Sequence, residues 1–169
     1  MKESLEAYVS HNSEGHFLNA VEKKLYREDV FNLLAEYPEN FFTGHFEALA
    51  KDAYNESEVV VAIEQNKPVG CLFFNRETGE CDWLAVSKSV TGRKSDVAKK
   101  MFQSIFDTVP NGTKVFWYIN TEDAVFEGRN VGTAFEPGRR LYREMGASFT
   151  RIANKFGEGN HAYLIEIET

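Results

Sequence analysis

"CDWLAVSKSVTGRKSDVAKKMFQSIFDTV", residues 81–109, joins three kinds of sequence in one stretch. Its first six residues are apolar except for Asp82 and include an aromatic and a β-branched member, which predicts a strand. The polar "SKSVTGRKS" that follows carries the turn-former Gly92 and predicts a loop. From residue 96 to 108, Val97, Met101, Phe102, Ile105 and Phe106 recur at helical spacing, which predicts an amphipathic helix with Ser95 placed to cap its first amides. A strand that runs through a loop into a helix offers unpaired N–H groups and the positive end of the helix dipole, an arrangement suited to phosphate. Arg93 and Lys94 add two cations at that end. An ordinary polar loop before a capped helix has the same pattern, so the stretch fixes an architecture before it fixes a ligand.

Upstream, two β-rich runs flank "QNKP" and the turn "NRETGE" separates the second from "CDWLAV", which predicts three antiparallel strands over residues 58–86. Residues 1 to about 57 read as helical. One apolar stripe is Leu18, Val21 and Leu25; another is Phe46, Leu49, Ala50 and Ala53, capped by Thr43, with Pro38 interrupting between them. No strand is evident ahead of these helices. Downstream come a "PNG" turn, the strand "TKVFWYIN", a long glycine-containing loop over residues 121–136, and a helix "GRRLYREM" with Pro137 in its first turn and Gly146 at its stop. Two strands joined by "GEGN" end the chain. This order predicts an α/β (α+β) fold with one mixed sheet.

The 169 residues, 43% hydrophobic and 27% charged, suit a single domain with one core. A formal charge of −7 excludes nucleic acid as the main partner, because the molecular field repels a phosphate backbone. Local basic clusters at 92–94, 99–100 and 139–140 still leave room for a small anionic ligand. With no apolar run approaching ~18 residues and no basic, apolar leader, neither a membrane span nor a secretory signal is expected, and the expected compartment is the cytoplasm. Cys71 and Cys81 are expected as buried thiols in strands. The histidines at 11, 16, 45 and 161 have no metal-ligand spacing, so no metal is expected.

The assembled order resembles the GNAT superfamily of acyl-CoA-dependent N-acetyltransferases over roughly residues 58–169. In that family a strand ending like "WLAV" leads into a loop of the form R/Q-x-x-G-x-G/A and then a helix. "RKSDVAKKM" is similar, with Arg93 at the first motif position, Ala98 at the last small one and Met101 at the helix anchor. "GRRLYREMGASF" follows the later helix pattern, with Tyr142 on the family's tyrosine and Gly146 on its glycine. Three positions depart. Asp96 stands where a glycine is usual, the phenylalanine after Gly146 is displaced to Phe149, and Asn120 is separated from Tyr142 by an enlarged loop.

The resemblance implies a mostly antiparallel central sheet with helices on both faces and an acetyl-CoA site. Contacts to the co-substrate are expected from the backbone of Leu84, Ala85 and Val86, from the 93–98 segment (Arg93, Lys94, Ser95, Asp96, Val97, Ala98) and from Asn120. Acetyl transfer to an amine also needs a base, since an amine of pKa near ~10 is mostly protonated at neutral pH. Family spacing lands on Glu80, and strand alternation puts Asp82 on the same face as a rival base or a partner for a cationic substrate. Tyr142, a phenol protonated at neutral pH, is expected to donate to the departing thiolate. Direct transfer to a primary amine in a ternary complex is the first expectation, and the acidic balance suits a cationic acceptor such as a polyamine, an amino sugar or a lysine side chain. A non-catalytic acyl-CoA-binding domain, a plain interaction module and a homodimer remain open alternatives.

Overall fold

The computed structural model describes residues 14–37 and 46–169. The Thr43 cap, the Pro38 interruption, His11, His45 and the Phe46 side chain lie outside the described residues. The chain divides into two compact units, residues 1–109 and 110–169.

The first unit holds β1 (Gly15–Phe17), α1 (Ala20–Leu25), α2 (Arg27–Ala35), α3 (Phe46–Glu56), β2 (Glu58–Glu64), β3 (Lys67–Asn75), β4 (Glu80–Val86) and α4 (Lys94–Thr108). Its strands pair antiparallel in chain order, with His16 opposite Val61, Val60 opposite Leu72 and Phe74 opposite Cys81. The run "VVVAI" of β2 is buried throughout, as a strand covered on both faces requires. On one face Val59, Val61, Ile63, Cys71, Phe73 and Ala85 join Val30, Leu33 and Leu34 of α2 and Ala50 and Tyr54 of α3 in a single core. Tyr54 stands edge-on to Phe31 and Phe73 at 5.3 and 5.9 Å, pairs worth about 0.5–1.5 kcal/mol each beyond area burial. On the other face α4 lies so close that a side chain at Gly70 would meet Met101 at 2.9 Å. Helices therefore cover both faces of this sheet.

Three expectations need correction here. A first strand does exist: β1 is only three residues long, too short to show alternation, and the edge of β2 defines it. Its glycine is required by α4, since a Cβ on Gly15 would sit 2.3 Å from Ser104 Oγ, and that hydroxyl donates to the Gly15 carbonyl at 2.9 Å. The stripe of Leu18, Val21 and Leu25 is not a buried face, because Val21 and Leu25 are 76% and 68% exposed. A capping box holds α1 instead, with Glu22 N–H donating to Asn19 Oδ1 (2.9 Å) and Asn19 N–H to Glu22 Oε1 (3.0 Å). Leu49 is likewise exposed, and α3 buries Ala50 and Tyr54. Finally, α4 begins at Lys94 with Arg93 at its N-cap and no side-chain cap bond, so Ser95 lies inside the first turn and caps nothing.

The second unit holds β5 (Lys114–Asn120), β6 (Val125–Phe126), β7 (Arg129–Asn130), a 3-10 turn (Gly132–Phe135), α5 (Glu136–Glu144), β8 (Ser148–Ile152) and β9 (Ala162–Glu168). β9 lies between β5 and β8, antiparallel to both, with Trp117 opposite Ile165 and Phe149 opposite Ile165. The 121–136 loop is partly structured, by a small β6–β7 hairpin and the 3-10 turn. α5 ends as expected at Gly146, whose φ of +82° suits glycine. Its N–H donates to the Arg143 carbonyl (3.0 Å) and Ala147 N–H to the Tyr142 carbonyl (3.0 Å), the two bonds of a Schellman motif. The fold is of the expected class, mixed α/β with a mostly antiparallel sheet. No helix among the described residues is long and apolar enough to cross a membrane.

Candidate functional site

In the first unit, β4 is broken in the middle. Cys71 pairs with Ala85 and Phe73 with Asp82, so Trp83 and Leu84 together oppose the single residue Leu72. This is a β-bulge, which bends a strand and leaves backbone groups out of the ladder. Trp83 carries it at φ +50°, left-handed for a bulky residue and costing of order 1–3 kcal/mol. Its half-buried ring packs on the core and holds the distortion. The bulge leaves Leu84 without a partner residue on β3, beside Ala85 and Val86.

Glu80 pairs with Asn75 and Asp82 with Phe73, so both carboxylates lie on the face covered by α2 and α3, as alternation predicts. Glu80 is half-buried and Asp82 exposed. Two residues that the sequence did not flag hold the chain just after β4. The Tyr37 hydroxyl donates to the Val86 carbonyl at 2.5 Å, and Glu36 Oε1 accepts from Lys88 N–H at 2.9 Å and from Ser87 Oγ at 3.3 Å. They stand about fifty residues upstream, at a helix end with no local signal, so nothing in the linear pattern could reveal them.

At the start of α4, the first-turn amides of Lys94, Ser95 and Asp96 have no intrahelical partner. The Val97 amide already donates to the Arg93 carbonyl at 3.2 Å, and the Val97 and Ala98 side chains are buried. The exposed helix start therefore consists of residues 93–96. Arg93 does not project alone: its guanidinium makes a two-pronged ion pair with Glu64 at the end of β2, Nη1 to Oε2 at 2.5 Å. That hydrogen bond, with the charge of Arg93 and of Lys100, holds the Glu64 carboxyl below its ordinary pKa. Asp96 stands exposed in the same first turn. Thus two carboxylates accompany the cations Arg93 and Lys94.

Burial pushes the Cys71 thiol up to about 12 and the Cys81 thiol higher still. Burial thus favours the neutral thiol at both positions.

In the second unit, Asn120 ends β5 and is 3% exposed. Its side-chain Oδ1 is buried without a hydrogen-bond donor, an arrangement that costs about 1–3 kcal/mol unless a ligand or water supplies one. Tyr142 is buried on α5, edge-on to Trp117 with ring centroids 5.0 Å apart. Gly138, one turn earlier, leaves room beside it, since a Cβ there would meet Ile119 at 3.3 Å and Tyr142 at 3.6 Å. Arg139, read from the sequence as part of a basic cluster open to an anion, is 1% exposed and wholly engaged inside the protein. Nη1 donates to the Asn120 carbonyl (3.0 Å), Nη2 to the Gly132 carbonyl (2.9 Å) and Nε to Glu136 Oε2 (3.1 Å), with Glu122 Oε1 at 3.3 Å. Burial raises the Glu122 carboxyl, but the Tyr163 hydroxyl donating to it at 2.7 Å and the nearby Arg139 and Arg143 outweigh this, and its pKa lies below the ordinary value. Among the described residues no group of His, Cys, Asp and Glu could hold a metal ion.

These elements make the fold of the GNAT acetyltransferases. Among solved structures, the chain is similar to the aminoglycoside 6'-N-acetyltransferase from Enterococcus faecium, with a TM-score of 0.67 and 14% identity over 91% of this chain and 96% of that one. It is similar to an aminoglycoside 6'-N-acetyltransferase complexed with coenzyme A, with a TM-score of 0.63 and 14% identity over 91% and 96%. A GNAT-family acetyltransferase from Bacillus cereus matches with a TM-score of 0.62 and 14% identity over 92% and 97%. No protein-family model and no curated protein matches the sequence.

Proposed function

We propose that the protein is an acetyl-CoA-dependent N-acetyltransferase that moves an acetyl group directly to a primary amine, within a single GNAT-like domain. The observation that carries this is the bulged β4 running into an α4 whose first turn has no side-chain cap, both within one unit. Backbone groups at the Leu84 bulge would pair with an extended amide-bearing arm, with Ala85 and Val86 beside them, and the amides of Lys94, Ser95 and Asp96 would face its phosphates. In the second unit, the orphaned Asn120 Oδ1 fits an amide N–H donor. Acetyl-CoA supplies an activated thioester. Glu80, half-buried on β4, takes a proton from the substrate ammonium so that the neutral amine attacks the thioester carbonyl and displaces the thiolate, with Asp82 as its rival or as the partner of a second substrate cation. Tyr142 gives a proton to the leaving sulfur. The fold neighbours that act on aminoglycosides, and the charge of −7, support a polycationic amine, an amino sugar or a polyamine, as acceptor.

A second reading, a domain that binds acyl-CoA without catalysis, is favoured by the engagement of Arg93 with Glu64. Thermal melting with acetyl-CoA tests both: tenfold over Kd stabilises a fold by about 1.4 kcal/mol. No shift at millimolar acetyl-CoA sinks both readings. Given a shift, thiol release with spermine, glucosamine and an aminoglycoside separates enzyme from sensor. Tyr142→Phe is expected to lower turnover by about 10²–10⁴-fold and leave the melting shift intact; unchanged turnover removes Tyr142 from the chemistry.

A further inference from the structure

We infer that Arg139 is a positioning residue that holds Asn120 and Tyr142 in one frame, an inference that rests on the acetyltransferase reading for its catalytic consequence. Arginine is almost never fully buried unless every arm is engaged, and this one is engaged on three sides. Nη1 holds the carbonyl of Asn120, whose own side chain carries the orphaned oxygen. Nη2 holds the Gly132 carbonyl, and so fastens the far end of the 121–136 loop. Nε is shared between Glu136, on its own helix, and Glu122, at the loop's near end. Glu122 is fixed in turn by Tyr163 of β9.

Three residues along α5 comes Tyr142, on the same side of the helix. The helix axis is therefore set against β5 by the Arg139 fork at one end and by the Trp117–Tyr142 edge contact at the other. Lysine cannot replace the fork: a single ammonium has no planar pair of donors to reach two carbonyls and two carboxylates at once. A plain structural ion pair would tolerate Lys in proportion to its charge, whereas a geometric frame would not.

The test compares Arg139→Lys and Arg139→Gln with Leu141→Ala, which removes a buried side chain of α5 outside the network. Each full-length variant is assayed with acetyl-CoA and spermine at a temperature where it is folded. Both Arg139 variants are expected to lose at least about tenfold in kcat with KM for acetyl-CoA rising by less, while Leu141→Ala loses melting temperature and keeps kcat. Arg139 variants with kcat within twofold of the parent, or Leu141→Ala losing kcat equally, overturn the inference. A second readout needs no turnover. In a Trp83→Phe background Trp117 is the remaining tryptophan, and its emission is expected to shift when Arg139 becomes Lys. An unchanged spectrum overturns the frame even if no amine is acetylated. Absence of turnover in the parent with spermine, glucosamine and an aminoglycoside alike, together with a shifted spectrum, refutes the acetyltransferase reading and leaves the frame standing.

Discussion

Glu64 and Arg93 set the charge at the start of α4, where the proposed phosphate site lies. A fork–fork pair with a carboxylate is the geometry in which arginine would also hold a phosphate, so the two anions compete for one guanidinium. The pair is partly exposed, with side-chain accessibilities of 47% for Arg93 and 23% for Glu64, so solvent screens it and its contribution is small. Glu64→Gln is therefore expected to tighten coenzyme A binding by about two- to fivefold, as read by calorimetry, while Arg93→Gln weakens it. Since the folded pKa of Glu64 is depressed, the pair is intact above the ordinary carboxylate pKa and is lost as pH falls through the lower folded value. The advantage of Glu64→Gln should therefore vanish in acid. Equal or weaker binding by Glu64→Gln at neutral pH would show that Arg93, even when released from Glu64, takes no part in the phosphate site.

At the scale of elements, the 121–136 loop is the least family-like segment, and backbone packing holds it. A Cβ on Gly132 would lie 2.2 Å from the Thr121 carbonyl oxygen and 2.5 Å from that of Glu122, contacts no side-chain adjustment relieves. Gly132→Ala is expected to lower stability by at least about 2 kcal/mol in urea unfolding, more than Gly146→Ala, which loses about 1 kcal/mol through its left-handed φ alone. The reverse order would mean that the loop is not packed as described. Local pattern made β2 to β5, α4 and the Gly146 stop legible, because alternation, helical spacing and turn residues act within a few positions. β1, the Trp83 bulge, the Glu36 and Tyr37 contacts and the Arg139 network were not legible. Each depends on a partner that only the fold supplies: the edge of β2, the register of β3, or carbonyls at Asn120 and Gly132. Glu80, Asp82 and Tyr142 were singled out through family order alone; they lie on β4 and α5.

For the whole molecule, 26 acidic against 19 basic residues set up a field that attracts cations and repels the several negative charges of acetyl-CoA. The cations at 93, 94, 99 and 100 counter that repulsion locally, at the end of α4 where phosphates are expected. Elsewhere the acidic surplus would act on the proposed cationic acceptor. A polyamine gains from that field with each added charge, whereas an amine with one charge gains little. Raising salt from 0.1 to 1 M shortens the Debye length from about 10 to about 3 Å and removes the long-range part of the attraction. At saturating acetyl-CoA, KM for spermine is therefore expected to rise by about an order of magnitude over that range, and KM for glucosamine by less than about twofold. Equal salt dependence of the two acceptors would mean that the acidic surface serves solubility alone, and that acceptor choice rests on short-range contacts around Glu80 and Asp82.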